Sequence, residues 1–264
     1  LPIGDLDLEE MPVVVADLHS SLPAVLAGLR SPQGEKQLRV VYVMTDGGAL
    51  PLAYSRLVAA LSQAGWLAGT VTAGQAWGGD IEAVSVHNAL LAARHVLHAD
   101  AAVVIQGPGN LGTETPWGFS GVACGDAVNA IAALGGRAVA CLRVSQADAR
   151  ARHRGVSHHS MTAYGRVALA GADVVVTDLE GELGTQVRQE AEALCAPRQG
   201  AVQHRLIEIP SNGLLERLRA AEAETGVRLS TMRRGLEEDT AAFITAAAAG
   251  CHVHRLLRTE TVRG

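Results

Sequence analysis

Asp17 and His19 form an Asp-Leu-His step, and at this i, i+2 spacing a carboxylate can point the same way as an imidazole and orient it. A pair of imidazoles, His158 and His159, lies in Ser157-His-His-Ser160, and Asp46-Gly47-Gly48 sets another carboxylate beside backbone that a ligand can approach closely. Asp17, His19, Asp46, His158 and His159 are therefore the candidate acid/base groups or metal ligands. Each has a plainer reading. Asp17 to Ser21 could be an Asx or Ser cap on a helix with Pro23 in its first turn, and Asp46-Gly could be an ordinary turn.

Upstream of Ser157 the chain carries Arg150, Arg152, His153 and Arg154. Guanidiniums beside a helix start attract phosphate or carboxylate, and the same field favours a neutral imidazole. Arg152, His153, Arg154 and Ser160 are the expected anion-binding residues. The alternative is a solvated charge run beside capping serines. Carboxylate and imidazole also suit zinc, manganese or iron, so a divalent metal is a further option, without any tight ligand spacing to support it.

The segment from Gln106 to Gly121 is too long for a mere connector. Its Gly107-Pro-Gly-Asn-Leu-Gly112 matches the dinucleotide pattern, but Thr113, Pro116 and Gly118 postpone any helix to about Gly121. A pyrophosphate needs that helix at once, so the pattern does not predict NAD. Aromatic residues make up 3% of the chain, yet Trp77, Trp117 and Phe119 lie in glycine-rich loops. They read as a wall or lid over a ligand, or as a lid packed on its own domain. Gly47, Gly48, Gly107, Asn110, Glu114 and Trp117 complete the expected ligand-binding set.

The elements that must position these loops are short, apolar and rich in Val, Ile and Ala. Val13–Asp17, Arg39–Thr45, Leu67–Thr72, Ala101–Gln106, Ala138–Val144, Asp173–Thr177 and Arg205–Ile209 read as strands buried on both faces. Between them lie helical patterns such as Tyr54–Ala64, Gly121–Leu134, Ser157–Ala170 and Asn212–Thr225, the last capped by Ser211-Asn212 and stopped by Gly226. Leu236–Gly250 reads as a helix and Cys251–Leu257 as an edge strand. This rhythm predicts an α/β fold: a three-layer sandwich around a mostly parallel sheet of six or more strands, in a single domain over 1–264. Ligands of such sheets bind beyond the carboxyl ends of the strands, where the loops above begin.

Composition narrows the function. The net charge of −5 with no long run of one sign argues against nucleic acid and anionic membranes. Apolar runs are too short to span a bilayer, and no signal peptide is visible, so the expected compartment is the cytoplasm. The scattered Cys124, Cys141, Cys195 and Cys251 read as reduced thiols, with Cys124 a candidate for a lowered pKa at a helix start. Lys36 is the sole lysine and lies in a polar loop, which excludes a P-loop nucleotide site and a pyridoxal-phosphate Schiff base. His87, between Val84 and Leu91, reads as semi-buried.

Taken together, Val13–His19, Thr45–Pro51, Gln106–Glu114 and His153–Ser160 resemble a bacterial family of uncharacterised proteins, domain of unknown function 3866. The resemblance covers most of the chain and implies no activity. The resemblance implies that a further N-terminal segment is usual, which fits the abrupt Leu1 ahead of an acidic lead-in over residues 1–10 and leaves open that the chain is a fragment. Asp46–Pro51 also resembles part of the B component of glycine-type reductases, but that enzyme's cysteine/selenocysteine motif is missing here and its activity does not carry over. The resulting expectation is an enzyme on a small anionic metabolite, hydrolase- or lyase-like, with a homo-oligomer left open. The alternative is a metabolite-sensing or ligand-binding module without turnover. A hydrogen-bonded His/Asp pair would favour the enzyme, and dispersed histidines the sensor.

Overall fold

Every residue of the first strand, Pro-Val-Val-Val-Ala (β1, Pro12–Ala16), is buried. Val13 and Val15 enter one hydrophobic cluster and Val14 and Ala16 another, on opposite faces. A strand covered on both sides has no polar face, which is why the apolar runs lack alternation. The computed structural model describes residues 6–31, 35–48, 50–197 and 203–261. Leu1 to Asp5 of the acidic lead-in, and parts of the loops at 31–37 and 45–51, lie outside them.

Helix α1 (Leu22–Leu29) leads to β2 (Val40–Thr45), α2 (Arg56–Gln63), β3 (Gly69–Ala73), β4 (Ile81–Ala83), α3 (Val86–His95) and β5 (Ala101–Gln106). Then come α4 (Ala123–Ala133), β6 (Arg137–Cys141), a small hairpin of β7 (Val144–Ser145) and β8 (Gly155–Val156), and α5 (His158–Thr162). The chain continues through β9 (Asp173–Thr177), α6 (Gly181–Cys195), β10 (Arg205–Ile209), α7 (Leu214–Thr225), the pair β11 (Ser230–Thr231) and β12 (Arg234–Gly235), and α8 (Thr240–Thr261).

Among the described residues, eight strands form one sheet in the order β10-β9-β6-β1-β5-β2-β3-β4, and every pairing in it is parallel. From β1 the chain works outward to β4, returns as β5 beside β1, then crosses to β6, β9 and β10. Apolar residues of α1, α2, α7 and α8 cover one face, and those of α3, α4 and α6 the other. The structure is thus the three-layer α/β sandwich expected. Its direction reverses around β1, β5 and β6, and the carboxyl ends of strands flanking such a reversal open onto a crevice. Among the described residues no helix is long and apolar enough to cross a membrane.

Some local expectations are corrected. Leu236–Gly250 and Cys251–Leu257 are not a helix and an edge strand, because α8 runs unbroken from Thr240 to Thr261. Gly250 does not stop it; an ideal Cβ there would stand 2.1 Å from the Val25 carbonyl oxygen, and one on Gly28 2.0 Å from that of Ala247. The two glycines let α1 and α8 pack backbone to backbone. The expected helix over Ser157–Ala170 is short: α5 gives way to a π-helical turn over Ala163–Val167, and Ala168 is extended. Gly213, at φ 76°, occupies the cap position of α7 in place of Ser211-Asn212, while Gly226 ends that helix as expected. His87 is exposed because Val84, its supposed packing partner, is itself exposed.

Candidate functional site

Asp17 leaves the carboxyl end of β1 towards the α4 face, continuing the alternation of Val13 and Val15. Gly121 makes room for it: an ideal Cβ at 121 would stand 1.8 Å from Asp17 Oδ1. The carboxylate is 5% exposed and is surrounded by donors. Arg143 Nη1, just past β6, donates to Oδ2 at 3.2 Å. Gln106 Nε2, at the end of β5, reaches the Asp17 carbonyl at 2.9 Å and Oδ1 at 3.3 Å. Asn110 Nδ2 donates to Oδ1 at 3.1 Å. The three central strands of the reversal therefore each contribute one polar side chain.

His159 completes the group, its Nδ1 lying 3.0 Å from Asp17 Oδ2. The carboxylate accepts, so Nδ1 carries the proton, and the contact of 3.2 Å between Nδ1 and Arg143 Nη1 is proximity between two donors. In the neutral ring that leaves Nε2 with its lone pair, as a base or a metal ligand needs. Burial raises the Asp17 carboxyl, but the His159 hydrogen bond and the Arg143 charge outweigh it and hold its pKa below the ordinary value.

His153 and His158 crowd against His159. Ring centroids are 4.5 Å apart for His158 and His159, and 4.9 and 5.0 Å from His153 to each. The β7–β8 hairpin holds this stretch, and Ser157 caps α5 by accepting from the His159 N–H at 3.2 Å. Ser157 Oγ also meets His153 Nδ1 at 2.7 Å. Burial is the largest cause lowering His153, to about 3, with Arg143 and Arg150 adding to it. His158 is lowered by burial and then by His159 and Arg152. One ring nitrogen from each of the three histidines lies within 4.8 Å of the other two, so this trio could hold a metal.

The long loop supplies a roof. Phe119 stacks on His159 with centroids 3.8 Å apart and rings 7° from parallel. Gly112 and Phe119 form a bridge across the loop, and Ser120 Oγ donates to Asn110 Oδ1. Trp117 stays half exposed, with the Arg166 guanidinium 4.4 Å above its ring, and Trp77 is also exposed.

Other expected residues stand apart from this cluster. His19 is held at both nitrogens, Nδ1 by the Tyr42 hydroxyl at 3.0 Å and Nε2 by Ser55 Oγ at 2.7 Å. Burial lowers its pKa to about 4. Asp46 is exposed and accepts from the Gln75 N–H at 3.0 Å, tying the ends of β2 and β3 together. Gly47 and Gly48 admit their own chain: ideal Cβ atoms there would stand 2.5 Å from Gln106 Oε1 and 2.3 Å from the Gly107 carbonyl oxygen. Gly107 itself is buried.

The arginines divide. Arg150 clasps Asp148 through Nε and Nη2, and Arg154 Nε donates to the Asp148 carbonyl at 3.0 Å. Arg152 lies 3.8 Å from the exposed Glu114. Ser160 Oγ accepts from the Arg143 N–H at 2.9 Å and so fixes the base of that side chain. Cys124 has a thiol pushed well above its ordinary range by burial and then by Asp17, which corrects the expectation of a lowered one.

Arg143 was legible only as a charge at the end of an apolar strand, and Gln106 as the polar end of β5. A groove of about 760 Å³ between α1 and α7 lies away from this cluster. Its size would favour it as a binding site, but Glu224 in its wall is bonded to Trp66 and Arg30. The buried, mutually hydrogen-bonded polar side chains gather at the carboxyl ends of β1, β5 and β6 instead.

A family model described as protein of unknown function (DUF3866) matches residues 4–250. No curated protein matches the chain.

Proposed function

The chain belongs to the DUF3866 family, and we propose that it is an enzyme acting on a small anionic metabolite by a hydrolytic or lyase-like reaction at the carboxyl edge of its sheet. The observation that carries this reading is the buried hydrogen bond between Asp17 and His159 beside Arg143. A carboxylate that fixes an imidazole tautomer leaves one nitrogen poised for chemistry, an arrangement a passive binding surface does not require. His159 and Arg143 hold Asp17 ionised, and Gln106 and Asn110 help hold it in place, which preorganises the centre. Arg152, partly exposed and with its charge felt at His158, is the anion-binding candidate. Phe119 lies flat on His159, so the loop from Gly107 to Gly121 covers one face of the imidazole and leaves its in-plane Nε2 edge for a substrate to approach.

The test is a turnover screen of phosphate monoesters, carboxylate esters, amides and hydroxy acids with the wild type and Asp17→Asn. The reading expects at least one substrate whose kcat/KM falls by about 10²-fold or more in the variant, the scale of a lost acid/base arrangement. Tight binding of a metabolite that is recovered unchanged would support the sensing module instead.

A further inference from the structure

We propose that His153, His158 and His159 form a three-histidine site for one divalent transition metal of the zinc type, with a fourth position open to water or to an oxygen of the substrate. This deepens the enzyme reading of the same site and rests on it only for the role of the metal. The site itself stands on geometry.

The nitrogens available to a metal are those left over once the other hydrogen bonds are assigned. His159 uses Nδ1 on Asp17, and His153 uses Nδ1 on Ser157 Oγ, so each presents Nε2. His158 Nε2 is buried and has no hydrogen-bond partner. A buried polar atom without a partner is costly, and a metal ion would satisfy it. The spread of 4.8 Å or less among the three ligand atoms is wider than a tetrahedral site at about 2.0–2.1 Å per bond requires, and a contraction of under about 1 Å per ring closes it.

The surroundings match what ligating histidines need. The Asp17 carboxylate behind His159 sets its tautomer and strengthens its lone pair, and the Ser157 hydroxyl behind His153 can accept from Nδ1 in the tautomer that ligation by Nε2 needs. Three neutral imidazoles favour zinc, cobalt, nickel, copper or iron over magnesium or calcium, which take oxygen ligands. The Arg143 charge would repel a cation, but Asp17 offsets it through their ion pair at 3.2 Å. The hairpin and the Ser157 cap fix the backbone that carries the ligands, so little ordering is left for binding to supply.

The experiment uses the untagged full chain, stripped with chelator, dialysed and titrated with Co²⁺ and then Zn²⁺. The expected result is one equivalent of Co²⁺ with intense visible bands of a four- or five-coordinate centre, displaced by one equivalent of Zn²⁺. His158→Gln should weaken Zn²⁺ binding by more than the roughly 10- to 100-fold that Asp17→Asn costs as an outer partner. His87→Ala, at an exposed position, should leave binding unchanged, and circular dichroism checks that each variant is folded. Absence of stoichiometric Co²⁺ binding by the wild type, or equal Zn²⁺ affinity in the wild type and a folded His158→Gln, overturns the proposal. Metal binding without turnover of any substrate keeps the site and sinks the enzyme, whereas Asp17-dependent turnover by a wild type that binds no stoichiometric Co²⁺ keeps the enzyme and sinks the site.

Discussion

Nδ1 of His159 lies 3.0 Å from Oδ2 of Asp17, across 142 positions of sequence. The contact exists because β1 and β6 are neighbours in the sheet and the hairpin after β6 folds back over the end of β1. Arg143, between them, is 9% exposed and points at the same carboxylate oxygen. The three side chains behave as one unit.

Breaking the unit from one side should be expensive. Arg143→Met leaves a buried carboxylate short of its main counter-charge, and the expected loss of stability is about 3 kcal/mol, the lower end for a broken buried pair because Gln106, Asn110 and His159 still donate. The double variant with Asp17→Asn should lose less than the sum of the two single variants. Urea unfolding of all four proteins measures this coupling. Strict additivity would show that the pair is not coupled.

His19 makes a pH signature of its own. Its folded pKa is lowered from 6.5 to about 4, so the unfolded chain takes up the proton first as the pH drops. The stability contributed is full above pH 6.5 and is lost progressively as the pH falls towards 4, by at most about 3 kcal/mol. The stability difference between wild type and His19→Gln should shrink over that window in denaturant titrations. A difference that stays constant with pH contradicts the Tyr42–His19–Ser55 arrangement.

Gly28→Ala places a methyl against the Ala247 carbonyl, with backbone rather than a flexible side chain in the way. A loss of about 1–3 kcal/mol is expected from the forced separation of α1 and α8. A melting temperature equal to that of the wild type would argue that the two helices part without cost.

Cys124 should ignore thiol reagents in the folded protein, since its thiol is buried and its pKa is raised well above the ordinary value. Ellman titration at pH 8 in the native state should leave Cys124 unmodified and label it in guanidinium. Rapid native labelling of Cys124 would place it in an open, electropositive setting.

The layers and the parallel sheet were legible because runs such as Val13-Val-Val and Ala101-Ala-Val-Val-Ile show no polar alternation, and two-sided burial is what removes it. The boundary near Gly250 was not, since Cys251-His-Val253 has strand-like composition and only contact with Gly28 shows why a glycine sits inside a helix. β4 escaped notice because three residues in a polar loop carry too little pattern. Within the site, Asp17, His153, His158 and His159 stood out by type and by position after strands. Arg143 did not, because a single arginine closing an apolar strand looks like a solvated end until the hairpin buries it. His19 and Asp46 had the right types and the right edge, but local sequence does not reveal that Tyr42, Ser55 and Gln75 engage them.

The most direct measurement is the tautomer of His159, read from ¹H–¹⁵N long-range correlation spectra of imidazole-labelled, metal-free protein near pH 7.5. The account predicts a proton on Nδ1 and a bare Nε2, with this pattern lost in Asp17→Asn while the fold, checked by the backbone amide spectrum, is kept. A proton on Nε2 in the wild type, or a pattern indifferent to Asp17→Asn, would contradict the account, since the nitrogen facing His153 and His158 would then have no lone pair to offer.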